Sequence, residues 1–202
     1  MRVEPFAGDA REIAKLHTQA FPGFFLTQLG DRFLTGYYKC VEAYPGGILL
    51  VARNEDSTAA GFAAGFLDPP AFYRFLRSRG ARFILPLTGA LLRRPTLLRR
   101  VIFDLRYLEG RAEDEVPPDG VVCELSSIGV LETGSGVGSL LMDAFLLRAR
   151  EIGSRSVILA TERDGNDAVN RFYAQKGFTL VRELAHTPGR VMNEYQIKLN
   201  GL

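Results

Sequence analysis

The sequence predicts a single mixed α/β domain. Three observations carry that expectation. A sharp strand–glycine loop–amphipathic helix unit occupies residues 121–153. A near-continuously apolar strand, SVILAT, follows it at 156–161. The 202-residue chain is 47% hydrophobic and 24% charged, values of an ordinary globular protein with one full-sized core.

The elements read in order along the chain. RVEPF is a short strand. Asp9 and Glu12 stand in the D-x-x-E relation of a capping box, opening a helix to about Ala20 with Ile13, Leu16 and Ala20 as its apolar stripe. FPGFF (21–25) breaks it, and a second helix runs to about Ala43. After the turn PGG (45–47), ILLVARN (48–54) and AAGFAAGFL (59–67) form two strands joined by EDST. Residues 70–118 are a helical insert with breaks predicted at Gly80, Pro86 and Pro95, ending in Pro117–Pro118. VVCELSSIGV (121–130) is a strand, and Val137–Gly153 a helix with apolar positions 137, 140, 141, 144 and 145. Residues 166–176 form a helix closed by Gly177, and FTLVREL and MNEYQIKL a final antiparallel pair.

Composition excludes several classes. The net charge of +2, from 25 basic and 23 acidic residues, gives no global pull toward nucleic acid. Cys40 and Cys123 are too few for a disulfide framework or a cysteine-based zinc site, and no metal constellation is visible. The longest apolar run, FILPLTGALL, is about half of the ~20 residues a membrane span needs. MRVEPFAGDA has no apolar h-region and does not read as a signal peptide, so the expectation is a cytoplasmic protein.

The strongest local feature is the loop LETGSGVGS. Gly134, Gly136 and Gly138 stand at alternate positions, so backbone N–H groups can converge without Cβ obstruction at a helix N-terminus, a setting for an anion. The competing reading is a merely tight strand-to-helix turn. Ser139 follows Gly138 where a P-loop has lysine. The spacing Gly134-x-Gly136-x-x-Ser139 nearly fits a dinucleotide fingerprint, with Glu162 as its ribose acid. Only about 40 residues follow Glu162, too few to complete a doubly wound sheet.

On these residues, 121–199 resembles the acetyl-CoA-binding half of the GNAT superfamily of N-acetyltransferases. Thr133–Gly138 lies on the family's Q/R-x-x-G-x-G/A pyrophosphate motif, NDAVNRFYAQKGF (166–178) on its helix signature, and ELSSIGV on its splayed strand. The resemblance implies a mostly antiparallel mixed sheet with flanking helices and a splayed parallel central pair. It implies acetyl-CoA as co-substrate, held by the backbone of Ile128 and Val130, by Thr133, Gly134, Ser135, Gly136, Val137, Gly138 and Ser139, and by Asn166, with Asn170 as the alternative asparagine. Thr133 departs from the motif's basic or amide first residue, and the turn before it is about two residues short. Those departures predict weaker cofactor binding rather than none.

For catalysis, the resemblance implies Tyr173 as the acid for the departing thiolate and Glu124 as the base that takes the amine proton. The competing readings are a Tyr173 packed beside Phe172, and a Glu124 facing solvent or pairing with an arginine while water serves as base. His17 and His186 have no partner at ligand spacing and read as core or surface residues. Phe24, Phe25 and Leu26 would wall the acceptor side. Residues 72–111 hold ten arginines (74, 77, 79, 82, 93, 94, 99, 100, 106, 111) and two acids, a net +8. That run suits an anionic amine acceptor such as an amino sugar, a membrane surface or acidic partner, or a solvated lid or dimer contact. The expectation is an acetyl-CoA-dependent N-acetyltransferase acting on a small amine by direct transfer; the alternative is a non-catalytic acyl-CoA-binding module.

Overall fold

The computed structural model describes residues 1–93, 121–187 and 190–199. In order it contains β1 (Arg2–Pro5), α1 (Arg11–Ala20), α2 (Phe25–Gln28), α3 (Asp31–Ala43), β2 (Gly47–Arg53), β3 (Ala59–Leu67), α4 (Pro69–Ser78) and α5 (Ala81–Arg93). Then come β4 (Val122–Val130), α6 (Val137–Glu151), β5 (Ser156–Glu162), α7 (Asp167–Gln175), β6 (Thr179–Thr187) and β7 (Arg190–Lys198). The seven strands form one sheet in the order β1-β2-β3-β4-β5-β7-β6. Every neighbouring pair is antiparallel except β4 and β5. The predicted break at Pro95, the Pro117–Pro118 end of the insert and arginines 94, 99, 100, 106 and 111 lie outside the described residues.

The sheet separates two cores, and β3 shows how the sequence builds both. Phe62, Ala64 and Phe66 point to one face, where they meet Ile13 and Leu16 of α1, Leu34, Tyr38 and Val41 of α3, and Phe72 of α4. The alternate positions, Gly61, Ala63 and Gly65, are small, and α6 lies against them. A Cβ at Gly65 would stand 2.5 Å from Phe145 Cζ and 2.2 Å from the Glu124 carbonyl oxygen. Large side chains thus go to the face that helices approach loosely, and absent ones to the face where a helix and a neighbouring strand approach closely.

Several local expectations change. No capping box forms: Asp9 Oδ1 accepts from the Arg11 N–H at 3.0 Å, but the Glu12 carboxylate turns to Arg53, at 2.7 and 3.1 Å. That charge-assisted bidentate pair outweighs a single reach-back to a backbone amide. The second helix is split, because Gly30 at φ 90° interrupts it between α2 and α3. Pro86 does not break the insert. It lies inside α5, whose flanking residues hold the helix by packing Phe83, Leu87 and Ala90 inward. The buried stripe of α6 is Val137, Leu141, Met142, Phe145, Leu146 and Ala149, while Leu140 is exposed. The helix is rotated so that Leu141 and Phe145 fit the β3 glycines. On β5, Val157 and Leu159 are buried, but Ile158 is half-buried and Ala160 exposed, so one face of this strand is open toward its end.

Candidate active site

The open face of β5 follows from the pairing of the central strands. β4 and β5 pair over three positions only: Val122 with Ser156, Cys123 with Val157 and Glu124 with Ile158. Beyond them the strands part, β4 staying with β3 up to Val130 and β5 with β7 up to Glu162. The register of β3 against β4 shifts between Ala64 and Gly65, opposite Ser127 and Leu125, so Ser126 is an extra residue at the point of divergence. The Leu131 N–H donates to the Ala60 carbonyl at 2.9 Å. Peptide groups alternate sides along a strand, so Ile128 and Val130 turn their N–H and C=O groups away from β3, into the gap.

The glycine loop stands at the wide end of that gap. Gly134 and Gly136 adopt φ 79° and 82°, which a side chain disfavours, and neither has an atom within 4 Å of a would-be Cβ. Gly136 is the N-cap of α6, and no side chain caps the helix. Its carbonyl accepts from the N–H groups of Ser139 and Leu140. Among the described residues, the N–H groups of Gly136, Val137 and Gly138 have no backbone acceptor. Together with the helix dipole they form a cradle for a phosphate. Gly138 is different: its Cβ would meet Val130 Cγ1 at 3.7 Å, an ordinary contact. Thr133 is exposed, and the Ser135 hydroxyl donates to the Glu132 carbonyl at 2.7 Å. The backbone groups along β4 and the cradle at α6 fit the extended, phosphate-bearing form of acetyl-CoA.

The opposite wall is α7. Its C-terminus is a Schellman turn: Gly177 at φ 86° lets the Phe178 N–H reach the Tyr173 carbonyl at 3.1 Å. The two asparagines differ. Asn170 is fully committed, its Nδ2 donating to the Glu162 and Asn166 carbonyls at 3.1 and 3.0 Å and its Oδ1 accepting from Asn193 and Tyr195 at 3.2 and 3.0 Å. Asn166 uses only its Nδ2, toward Thr161 Oγ1 at 2.7 Å and the Glu162 carbonyl at 3.3 Å. Glu162 itself pairs with Arg190 of β7, which removes it from any ribose-binding role.

Tyr173 projects from α7 among Phe172, Phe178 and Tyr195. Its ring is buried, and its hydroxyl makes no hydrogen bond among the described residues. Burial pushes its ionisation well above the ordinary tyrosine range, so it stays a proton donor. Glu124 is half-buried at the last paired position before the strands part, on the other face of β4. There Tyr73 of α4 donates its hydroxyl to Glu124 Oε1 at 2.6 Å. Sequence reading missed Tyr73. Asp68 caps α4 by accepting from the Ala71 N–H, and Pro69 and Pro70 start the helix, so its existence was legible. Nothing in the sequence ties its fifth residue to a strand 51 positions away.

Next to Glu124, α3 lays Tyr37 against Ser126 and Tyr38 against Ser127, both tyrosines buried and held protonated by burial. His17 joins them, its Nδ1 2.6 Å from the Tyr38 hydroxyl and its Nε2 without a partner. His17 is therefore a core residue beneath the site, as the sequence suggested; the His186 side chain lies outside what the structure describes. Cys40 and Cys123 are buried and free. Of the residues expected to wall the acceptor side, Phe24 is exposed, while Phe25 and Leu26 are half-buried and pack against α5.

The model of the acetyltransferase (GNAT) family matches residues 106–178, which span β4, the glycine loop, α6, β5 and α7. Over that stretch the chain is similar to a GNAT acetyltransferase domain. Solved structures share the fold over almost the whole chain. A GNAT-family protein of Desulfovibrio desulfuricans superposes with a TM-score of 0.61 at 16% identity, covering 98% of this chain and 97% of its own. An N-acetyltransferase of Staphylococcus aureus gives 0.60 at 13% identity, with 98% of each chain covered. The yncA protein of Salmonella typhimurium, solved with its cofactor acetyl-CoA, gives 0.58 at 16% identity, covering 98% of this chain and 94% of its own. No curated protein matches the sequence.

Proposed function

We propose that this domain transfers the acetyl group of acetyl-CoA to a primary amine of a small-molecule acceptor, by direct attack in a ternary complex. The observation that carries the reading is the short β4–β5 pairing, which opens onto an uncapped helix N-terminus built from Gly134, Gly136 and Gly138. The cradle of Gly136, Val137 and Gly138 amides takes the pyrophosphate, with Thr133, Ser135 and Ser139 around it, and Ile128 and Val130 hold the pantetheine arm as a strand would. Asn166, with a free Oδ1, is the asparagine that reaches the co-substrate, and Asn170 positions it.

The chemistry then needs one proton removed and one supplied. Glu124, oriented by Tyr73, takes the proton of the attacking amine as the C–N bond forms. Tyr173 supplies a proton to the sulfur as the C–S bond breaks, leaving an acetamide and free CoA, and water resets both residues. A tyrosine whose ionisation is raised by burial is protonated across the neutral range, the state this step requires. A cytoplasmic location belongs to the same reading.

Thiol release from acetyl-CoA over a panel of polyamines, amino sugars, aminoglycosides and short peptides tests it. Turnover is expected with one of these classes, lowered by Tyr173→Phe and by Glu124→Gln with acetyl-CoA affinity retained. An acetyl-CoA-induced thermal shift with no turnover on any amine would favour instead a binding module, the reading that Thr133 at the head of the motif supports. No shift at millimolar acetyl-CoA would refute both.

A further inference from the structure

α5 has an outward face that the catalytic reading does not use. The helix is anchored from within by Phe83 and Ala90, both buried, and by Leu87 and Leu91, which pack against residues of α2 and α3. Ala81, Ile84, Leu85, Thr88 and Leu92 recur at helical spacing on its opposite side. Ile84, Leu85 and Leu92 are 61%, 75% and 86% exposed. A solvent-facing helix side normally carries charge. This one carries none, and the only charges on α5 are Arg82 and Arg93, at its two ends.

Within α4 and α5 the charges are of one sign, while Asp31 and Arg32 of α3 stand together at the cavity beside Leu85. From Pro69 to Arg93 the chain holds five arginines (74, 77, 79, 82 and 93) and no aspartate, glutamate or lysine. Arg77 and Arg82 are exposed, and the Arg79 guanidinium is spread over the Phe75 ring at 3.6 Å. Exposed aliphatic side chains on a helix pair whose own charges are all guanidinium groups match an anionic lipid interface, where phosphates meet the rim and acyl chains the centre. At 13 residues α5 spans about 20 Å, too short to cross a bilayer. Among the described residues, no helix is long and apolar enough to do so. We propose that the α5 face formed by Ile84, Leu85 and Leu92, together with the exposed arginines Arg77 and Arg82, docks on an anionic membrane surface. α5 packs on α2, so docking would bring the Phe24–Leu26 wall of the acceptor side close to the bilayer. The proposal stands apart from the assignment of Glu124 and Tyr173.

The experiment is flotation of the full chain with phosphatidylcholine vesicles, with and without about 30% phosphatidylglycerol. The wild-type chain is expected to float with the anionic vesicles and to stay in solution with the neutral ones. Leu85→Ser/Leu92→Ser is expected to lower the bound fraction at least about tenfold. Arg77→Glu/Arg82→Glu is expected to do the same, and both double variants should melt at the wild-type temperature. Failure of the wild-type chain to float at low salt would overturn the proposal, as would equal flotation of either variant. Two further results would overturn it. A clear loss of thermal stability in Leu85→Ser/Leu92→Ser would mean that the chain itself covers this face. A wild-type dimer in light scattering that this variant breaks would mean that a second copy covers it.

Discussion

His17 offers a prediction whose size follows from its surroundings. The imidazole is buried between Phe21 and Phe62, at ring-centroid distances of 4.8 and 6.1 Å, with one nitrogen on the Tyr38 hydroxyl and the other without a partner. Burial lowers its pKa from 6.5 to about 4. An unfolded chain exposes the imidazole at its ordinary value, so between pH 6.5 and 4 the unfolded state binds the extra proton. Acid therefore favours unfolding through that window, and the stability is intact above it. At about 1.4 kcal/mol per pH unit the full effect is about 3.5 kcal/mol, of which about 2 kcal/mol falls between pH 7 and pH 5. For a domain of this size that is a drop of about 4–8 °C in melting temperature. The assay is thermal or urea unfolding at both pH values for wild type and His17→Leu, which carry the same surface carboxylates. From pH 7 to pH 5 wild type should lose about 2 kcal/mol more stability than His17→Leu. Parallel loss in the two proteins would refute the buried, neutral histidine.

Three further predictions concern the site. Tyr73→Phe removes the hydrogen bond to Glu124 and is expected to lower turnover about tenfold at unchanged acetyl-CoA affinity; unaltered kcat would free Tyr73 from any role. Gly136→Ala places a Cβ at φ 82° in the phosphate cradle and should weaken acetyl-CoA binding about tenfold by calorimetry. Gly138→Ala, whose Cβ has ordinary contacts, should bind almost as wild type, and the reverse ranking would contradict the cradle. Asn170→Ala strands the partners of a five-bond hub linking α7, β5 and β7, and is expected to lower stability by about 2–3 kcal/mol in chemical denaturation. An unchanged midpoint would show those bonds to be dispensable.

The strands and most helices were legible because each depends on signals carried within the element. AAGFAAGFL displays its alternation of bulk and glycine directly, and Gly177 marks the end of α7. What escaped were choices made between elements. Glu12 prefers Arg53, on a strand 41 residues away, over its own helix terminus. α6 turns Leu140 outward because the β3 glycines accept Leu141 and Phe145. Ser126 becomes the bulge that helps part β4 from β5 only when set against β3. In the candidate site, the glycine loop and Tyr173 could be located from local spacing and resemblance. The partner of Glu124 could not, since Tyr73 reaches it only through the packing of α4 on β3 and β4. The two asparagines of α7 look alike in sequence and are separated only by Asn193 and Tyr195 arriving from β7.

In the proposed function acetyl-CoA lies between β4 and α7 with its phosphates on the N-terminus of α6. Amide chemical shifts of the labelled protein, followed through an acetyl-CoA titration, address it most directly. Saturable shifts are expected at Ile128, Val130 and Gly134 to Ser139, with lesser ones along α7. Saturable binding that leaves those amides unmoved and shifts residues elsewhere would contradict it.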